Sequence, residues 1–417
     1  TVVVDANSPD FATVAATDAT YKVGQNIDIT VTWDEAVVVT GVPTLALSNG
    51  ATAAYNSGTG NAALVFRYTV VEGDTNSSEL KVTRYTGTIA DAAGNTAAAI
   101  TNPSDLGAVI VDANSPTVTG VTSTSSNGFY INGNTLSIQV ILSEVVNVTG
   151  TPQLTLNTGE TATAVNYSSG TTTNTLNFIY TVGSSHNNCD LDYIGTSSLS
   201  LNSGTITDAA GNHTILTLPA PGASNSLASN KALVIDNTGP IIKVQNITIN
   251  VGQADVTPSA SQINNGTTDA CDPSDLTYQI TTGTFDCTDV GTTQSGVFRA
   301  TDAAGNYSES TYSITIVDTT APVITIIGSN TVSVERLATY NDLGATASDR
   351  CSGNVSGSIA LTSNVNTSIV GSYTVTYNVD DASGNSASPI TRTVNVIDTT
   401  APTVSSFTMS DTALKSG

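Results

Sequence analysis

The stretch GVFRATDAAGNYSESTYSITIVDTTAP, Gly296 to Pro322, holds one complete unit of local structure. Val297 to Ala300 and Tyr312 to Val317 alternate in the manner of half-buried strands. Between them lies a tight acidic turn, TDAAGN. Gly305 supplies a left-handed backbone there, while Asp302 and Asn306 cap the turn's backbone groups. The second strand runs into Asp318, a short polar link and Pro322. Proline fixes φ and has no N–H, so it ends the strand ladder and stiffens the link. The reading is a hairpin that closes the edge of a sandwich.

The same unit recurs. The turn appears as ADAAGN (Ala90 to Asn95), TDAAGN (Thr207 to Asn212) and DDASGN (Asp380 to Asn385). The closing string appears as VVVDANSP, VIVDANSP, LVIDNTGP, TIVDTTAP and NVIDTTAP, with its aspartate at Asp5, Asp112, Asp236, Asp318 and Asp398. Successive aspartates are 107, 124, 82 and 80 residues apart, the size of single small β-domains. The first two repeats also share an internal block. DEAVVVTGVPTLALSNG (Asp34 to Gly50) parallels SEVVNVTGTPQLTLNTG (Ser143 to Gly159), which aligns Glu35 with Glu144.

Composition narrows the function. The 417 residues carry 34 acidic against 11 basic side chains, a formal charge of −23. Nucleic acid is excluded as a partner, because binding phosphates needs a basic face. Only 11% of residues are charged and 39% are apolar, so the acidity is not that of a disordered polyanion. No run approaches the ~20 apolar residues of a membrane-spanning helix. The only histidines, His186 and His213, sit in polar loop-like settings away from any serine nucleophile motif, so no catalytic arrangement emerges. Every alignable acid occupies a repeated position. Trp33 lies in an alternating strand and reads as core.

These strings resemble the bacterial immunoglobulin-like repeats of giant surface adhesins. Repeats one and two are similar to the longer cadherin-like type, through the SE-x-V-x-V-T-G-x-P-x-L block and the closing DAAGN. Repeat three resembles the hyalin-repeat class through DACDPSD, a second cysteine and ATDAAGN. Repeat four resembles a bacterial Ig-like class through TYNDLGATASD (Thr339 to Asp349) and VGSYTVTYNVDDASGN. The resemblance implies an all-β chain of tandem Ig-like antiparallel β-sandwiches in an elongated rod, located outside the cell at its surface and often rigidified by Ca²⁺ at the joints. It also implies a disulfide between Cys271 and Cys287, closing a short loop worth ~3 kcal/mol. Cys189 and Cys351 lie in different repeats and are expected to be free.

Two readings of the recurring acids stand side by side. Each aspartate and asparagine either merely closes a turn or supplies oxygen to Ca²⁺, which takes six to eight such ligands. A final strand separates the turn aspartate and the linker aspartate of one repeat, so those two do not share an ion. The candidate sets instead pair a linker aspartate with acids of the next repeat. They are Asp5 with Glu35 and Asp91, Asp112 with Glu144 and Asp208, Asp236 with Asp302, and Asp318 with Asp380 or Asp381. Asp269, Asp272 and Asp275 form a further cluster. Asp-Thr sequences place candidate O-glycosylation hydroxyls at Thr319, Thr399 and Thr412, by resemblance to a bacterial modification sequence.

The expected organisation is a last strand of a preceding domain (1–5), sandwiches at 6–112, 113–236, 237–318 and 319–398, and the start of a fifth at 399–417. The expected role is that of an extender or stalk segment of a secreted, cell-surface adhesin, whose partners are neighbouring repeats of a longer chain. Two rivals are a filament subunit that joins identical chains by strand donation, and a ligand-binding or accessory region of a secreted enzyme.

Overall fold

The computed structural model describes residues 4–406. The chain forms two compact units, Thr1–Thr238 and Gly239–Gly417. The strand expected over 1–5 and the fifth-domain start at 399–417 therefore fall largely outside the described residues.

In the first unit, the 22-residue strand Asn26–Leu47 is the spine of one sandwich. Successive side chains of a strand point to opposite faces, which buries Ile27, Ile29, Val31 and Trp33. Trp33 meets Tyr85 edge-to-face at 6.3 Å, so it belongs to the core as expected. Up to Thr32 the spine pairs with Asn61–Thr69, and from Val38 it pairs with Lys81–Ala90. The register breaks between Thr32 and Val37, and Glu35 lies inside the break. The next sandwich repeats the device. Thr135–Thr149 pairs with Thr173–Thr181 as far as Ile141 and with Thr205–Thr207 from Asn147. Its break, between Ile141 and Val146, contains Glu144. The shared sequence block thus marks where one strand changes partners, a place where bulges re-aim side chains.

In the second unit the hairpin is the expected one. Thr293–Thr301 pairs with Tyr307–Val317, with Thr301 opposite Tyr307 across the acidic turn. The second strand starts five residues earlier than the sequence suggests, because Tyr307–Thr311 also stay in register. The following sandwich sets Val323–Ile326, Ala345–Asp349 and Gly353–Asn354 against a sheet of Thr331–Glu335, Ile390–Ile397, Gly371–Asn378 and Ala360–Ser363. Four hydrophobic clusters, two in each unit, fill these sandwiches among the described residues.

The sandwiches are antiparallel with one addition each. The closing strands Val109–Asp112, Leu233–Ile235, Tyr307–Val317 and Ile390–Ile397 pair in parallel with Ala19–Lys22, Gly128–Tyr130, Ile247–Asn250 and Thr331–Glu335. Most of a repeat lies between the two strands of each pair, which is the long crossover that parallel pairing needs.

The cysteines depart from expectation. Cys287 is bonded to Cys351, with Cα atoms 4.9 Å apart, so the Cys271–Cys287 pairing is wrong. Cys189 and Cys351 are not free either, since both are disulfide-bonded. Lying in a different repeat does not leave Cys351 free, because the loop after Ala345–Asp349 reaches back onto the neighbouring sandwich of the same unit. Beside the bond, Arg350 donates to the Val251 carbonyl at 2.6 Å and pairs with Asp255 at 2.5 Å.

A buried ion pair pins the last sandwich. Arg392, 1% exposed, donates to Asp342 at 2.7 Å. Asp342 also accepts from the Tyr340 and Tyr377 hydroxyls and from the Gly344 N–H. Burial alone would raise this carboxyl. The two hydroxyls, the Gly344 N–H and the guanidinium outweigh burial and hold it below the ordinary value.

Two outcomes follow. Replacing Cys287 and Cys351 together by serine lowers the unfolding free energy of the second unit by about 4 kcal/mol, the chain-entropy value for a separation of 64 residues; urea titration under non-reducing conditions reads this. A carboxyl with a lowered folded pKa stabilises above its unfolded value of about 3.9, and that contribution fades as pH falls through the folded value. The melting temperature of the second unit therefore drops below about pH 4, and Asp342→Asn flattens that part of the profile.

Candidate metal centres at the sandwich joints

The acidic turn is built alike in every repeat. Asp91 Oδ1 accepts the N–H groups of Gly94 at 2.7 Å and Asn95 at 2.8 Å, and its Oδ2 accepts the Asn95 side-chain amide at 2.7 Å. Asp208 does the same with Gly211 and Asn212. Asp302 and Asp381 accept both the backbone N–H and the side-chain amide of Asn306 and Asn385. The aspartate is the acceptor that the tight turn requires, and it sits buried against its own hairpin.

The asparagine also has an outward role. Its amide N–H reaches the main-chain carbonyl of a linker aspartate: Asn95 to Asp5 at 3.3 Å, Asn212 to Asp112 at 3.2 Å, and Asn385 to Asp318 at 3.1 Å. Turn and linker are therefore clamped together where one repeat ends and the next begins. Within the first unit the clamp is reinforced. Lys22 Nζ donates to the Gly211 carbonyl at 2.7 Å, and the Val23 N–H donates to Asn212 Oδ1 at 2.9 Å.

The clamp gathers carboxylates. Oxygens of Asp5, Glu35 and Asp91 lie within 4.8 Å of one another, and so do those of Asp318, Asp349 and Asp381. Asp112, Glu144 and Asp208 face each other more loosely. Asp112 Oδ1 accepts the Asn76 side-chain amide at 3.0 Å, and Glu72 adds a further acid there while accepting from the N–H and hydroxyl of Ser115. Between Asp380 and Asp381 the structure selects Asp381. Asp380 is exposed and bridges to Ser386 in its own turn.

Asp349 was not singled out from the sequence, although a signal for it exists. Asp269 and Asp349 each stand two residues before a cysteine. Asp269 accepts the N–H groups of Cys271 and Asp272, and Asp349 those of Cys351 and Ser352. Of the DACDPSD acids, Asp272 is buried and caps the turn of its own repeat through Ala303 N–H at 2.8 Å, while the Asp275 N–H donates to it. The linker residue Asp236 accepts from both the N–H and the hydroxyl of Thr238 at 3.1 Å.

The electrostatics record the crowding. Burial, followed by the charges of Asp5, Asp91 and Asp34, pushes the Glu35 carboxyl up. Burial and the charges of Asp208, Asp112 and Glu72 do the same to Glu144. At Asp381, burial would raise the carboxyl, but the Asn385 amide and the turn N–H groups outweigh it and lower it. Asp318 Oδ2 is buried without a hydrogen-bond partner. Each carboxylate offers about four acceptor directions, so the turn N–H groups leave room for a further ligand. The donors are all hard oxygens, with no nitrogen or sulfur in either convergent set. Such a set suits Ca²⁺ rather than a soft metal.

Of the glycosylation candidates, the Thr319 hydroxyl meets the Asn250 amide at 2.6 Å and the Thr399 hydroxyl donates to Glu335 at 2.9 Å. Thr412 lies outside the described residues.

Residues 324–396 match the family model of the bacterial surface protein Ig-like domain. Over an alignment of 167 positions that covers 36% of this chain, it is 32% identical to the serine-rich adhesin for platelets of Staphylococcus aureus. The match spans 7% of that protein's length. Among solved structures, the chain is similar to a tetra-tandem repeat in the extending region of a large adhesion protein, at 14% identity, over 94% of this chain and 100% of that one, with a TM-score of 0.26. It is also similar to the protocadherin GammaB4 extracellular domain, at 14% identity over 95% of this chain and 68% of that one, with a TM-score of 0.23.

The clamp and the crowding make separable predictions. Asn212→Ala leaves Asp208, the Asp112 carbonyl and the Val23 N–H each short of a partner, and costs roughly 2–3 kcal/mol in the first unit by denaturant titration. A carboxyl with a raised folded pKa disfavours the fold once ionised, so this loss sets in as pH rises through the folded value. In chelator, Glu144→Gln therefore raises the melting temperature at neutral pH and removes that step from the pH profile.

Proposed function

We propose that this extracellular, cell-surface chain of tandem Ig-like sandwiches is an extender segment of an adhesin, with joints stiffened by calcium. Its sandwiches run over 6–112, 113–236, 237–318 and 319–398. The observation that carries this reading is the repeated clamp, in which a linker aspartate is held by the acidic turn of the following repeat. The same clamp recurs at Asp5, Asp112 and Asp318, as expected of architecture that is repeated with each sandwich. The match to a family of non-catalytic surface domains supports the same reading.

When bound, calcium supplies positive charge that lets the gathered carboxylates approach without repulsion. The protein supplies the rest. Turn N–H groups orient Asp91 and Asp381, the strand breaks deliver Glu35 and Glu144, and the asparagine amides hold the linker in place. Asp5, Glu35 and Asp91 form one centre and Asp318, Asp349 and Asp381 another. Asp112, Glu144 and Asp208 form a looser one, whose turn is also held by Lys22 through the Gly211 carbonyl. A rigid joint transmits the position of one sandwich to the next, which is what a spacer requires.

Calorimetry and small-angle scattering of the whole chain test this together. Calcium at a hundred times its dissociation constant adds about 2.7 kcal/mol per independently occupied site. It raises the melting temperature and narrows the distribution of molecular dimensions, and chelator reverses both changes. Melting and scattering that ignore calcium would remove the stiffening role. An intact mass of the native polypeptide close to that of this chain would favour a filament subunit over a segment of a longer stalk.

A further inference from the structure

The residues 349–352 form a short loop that is fastened at each position to something different. Asp349 turns its carboxylate into the cluster with Asp318 and Asp381. Arg350 reaches the neighbouring sandwich, pairing with Asp255 and donating to the Val251 carbonyl. Cys351 is bonded to Cys287 of that same sandwich. Ser352 Oγ accepts the Ala382 N–H at 3.0 Å, next to Asp381. The covalent bond and the acid cluster are not merely neighbours. The Cys351 N–H donates to Asp349 Oδ1 at 2.8 Å, so the bonded cysteine itself holds one of the three converging carboxylates.

We propose that the Cys287–Cys351 disulfide sets the divalent-cation affinity of the Asp318–Asp349–Asp381 centre, making this joint sensitive to both calcium and redox state. This rests on the reading of that centre as a cation site, which the buried and otherwise unpartnered Asp318 Oδ2 supports independently of the acid cluster. Three carboxylates brought together repel, and in the oxidised protein the bond supplies the restraint that keeps Asp349 in position. The chemistry is ordinary exchange. An external dithiol attacks the disulfide, its two sulfurs end joined to each other, and two electrons and two protons pass to Cys287 and Cys351 as thiols. The loop is then held by Arg350, Ser352 and the pairing of Asp349 with Gly353, without the covalent tie to the neighbouring sandwich, and more of the cost of holding Asp349 against the other carboxylates falls to the cation. Reduction weakens cation binding. By reciprocity, a bound cation makes the disulfide harder to reduce by the same factor.

Isothermal titration of the full chain with calcium measures this directly, comparing the oxidised protein with a Cys287→Ser/Cys351→Ser variant and with Asp318→Asn. The expected result is that Asp318→Asn abolishes one binding event and the cysteine variant weakens that same event by about tenfold. A calcium-binding event lost in Asp318→Asn but unchanged in the cysteine variant overturns the coupling and leaves the cation site standing. Titrations identical in the oxidised protein and in Asp318→Asn overturn the cation site and the coupling with it. If the cysteine variant fails to fold, the unaltered chain serves. It is equilibrated with dithiothreitol in calcium and in chelator, alkylated, and the Cys287 and Cys351 peptides are quantified by mass. A tenfold coupling appears as a reduction potential ~30 mV lower in calcium. Equal potentials in calcium and chelator overturn the proposal.

Discussion

Negative charge placed where two folded bodies meet must be compensated, and the joints of this chain are organised around that requirement. Each acidic turn needs its aspartate for reasons internal to the hairpin, because a turn with several inward N–H groups demands an acceptor. Placing that turn at the pole that receives the preceding linker brings the aspartate close to another carboxylate. The asparagine four residues on reconciles the two demands, with one amide group bridging the carboxylate of the turn and the carbonyl of the linker. The two readings of the repeated acids are therefore not exclusive. The same group that closes the turn also faces the joint.

Different joints handle the charge with different means. In the first unit a lysine from one sandwich reaches the turn of the next, and an asparagine draws the linker carboxylate aside. At that joint Asp112, Glu144 and Asp208 are spread, and Glu144 carries the crowding as a raised carboxyl, whereas Asp5, Glu35 and Asp91 of the same unit converge. In the second unit a covalent bond and an arginine stand beside the acids, which converge closely.

Much of this could be read from the letters. The strand–turn–strand–linker unit and the alternating core positions follow from local rules, since period, turn chemistry and proline act over a few residues, whereas the strand break inside the shared Glu35 and Glu144 block is seen only in the pairing. The pairing of Asp5 with Glu35 and Asp91 was accessible as well, because in-line repeats place a linker beside the next repeat's loops. Choosing Asp381 over Asp380 required knowing which of two adjacent side chains points inward. The Cys287–Cys351 bond was missed because it depends on how one sandwich leans on its neighbour, which no local rule encodes. Asp349 was hidden for the same reason, although its echo of Asp269 before a cysteine was visible.

The parallel pairing of each closing strand has a mechanical meaning. Tension that enters the first sandwich at Asp5 and leaves at Asp112 draws Ala19–Lys22 toward its beginning and Val109–Asp112 toward its end. Two strands that run the same way are then made to slide past each other lengthwise. Their rungs share the load and give way together instead of opening one by one like a zip. Pulled along its length, the sandwich therefore meets the load with a sheared pair of strands.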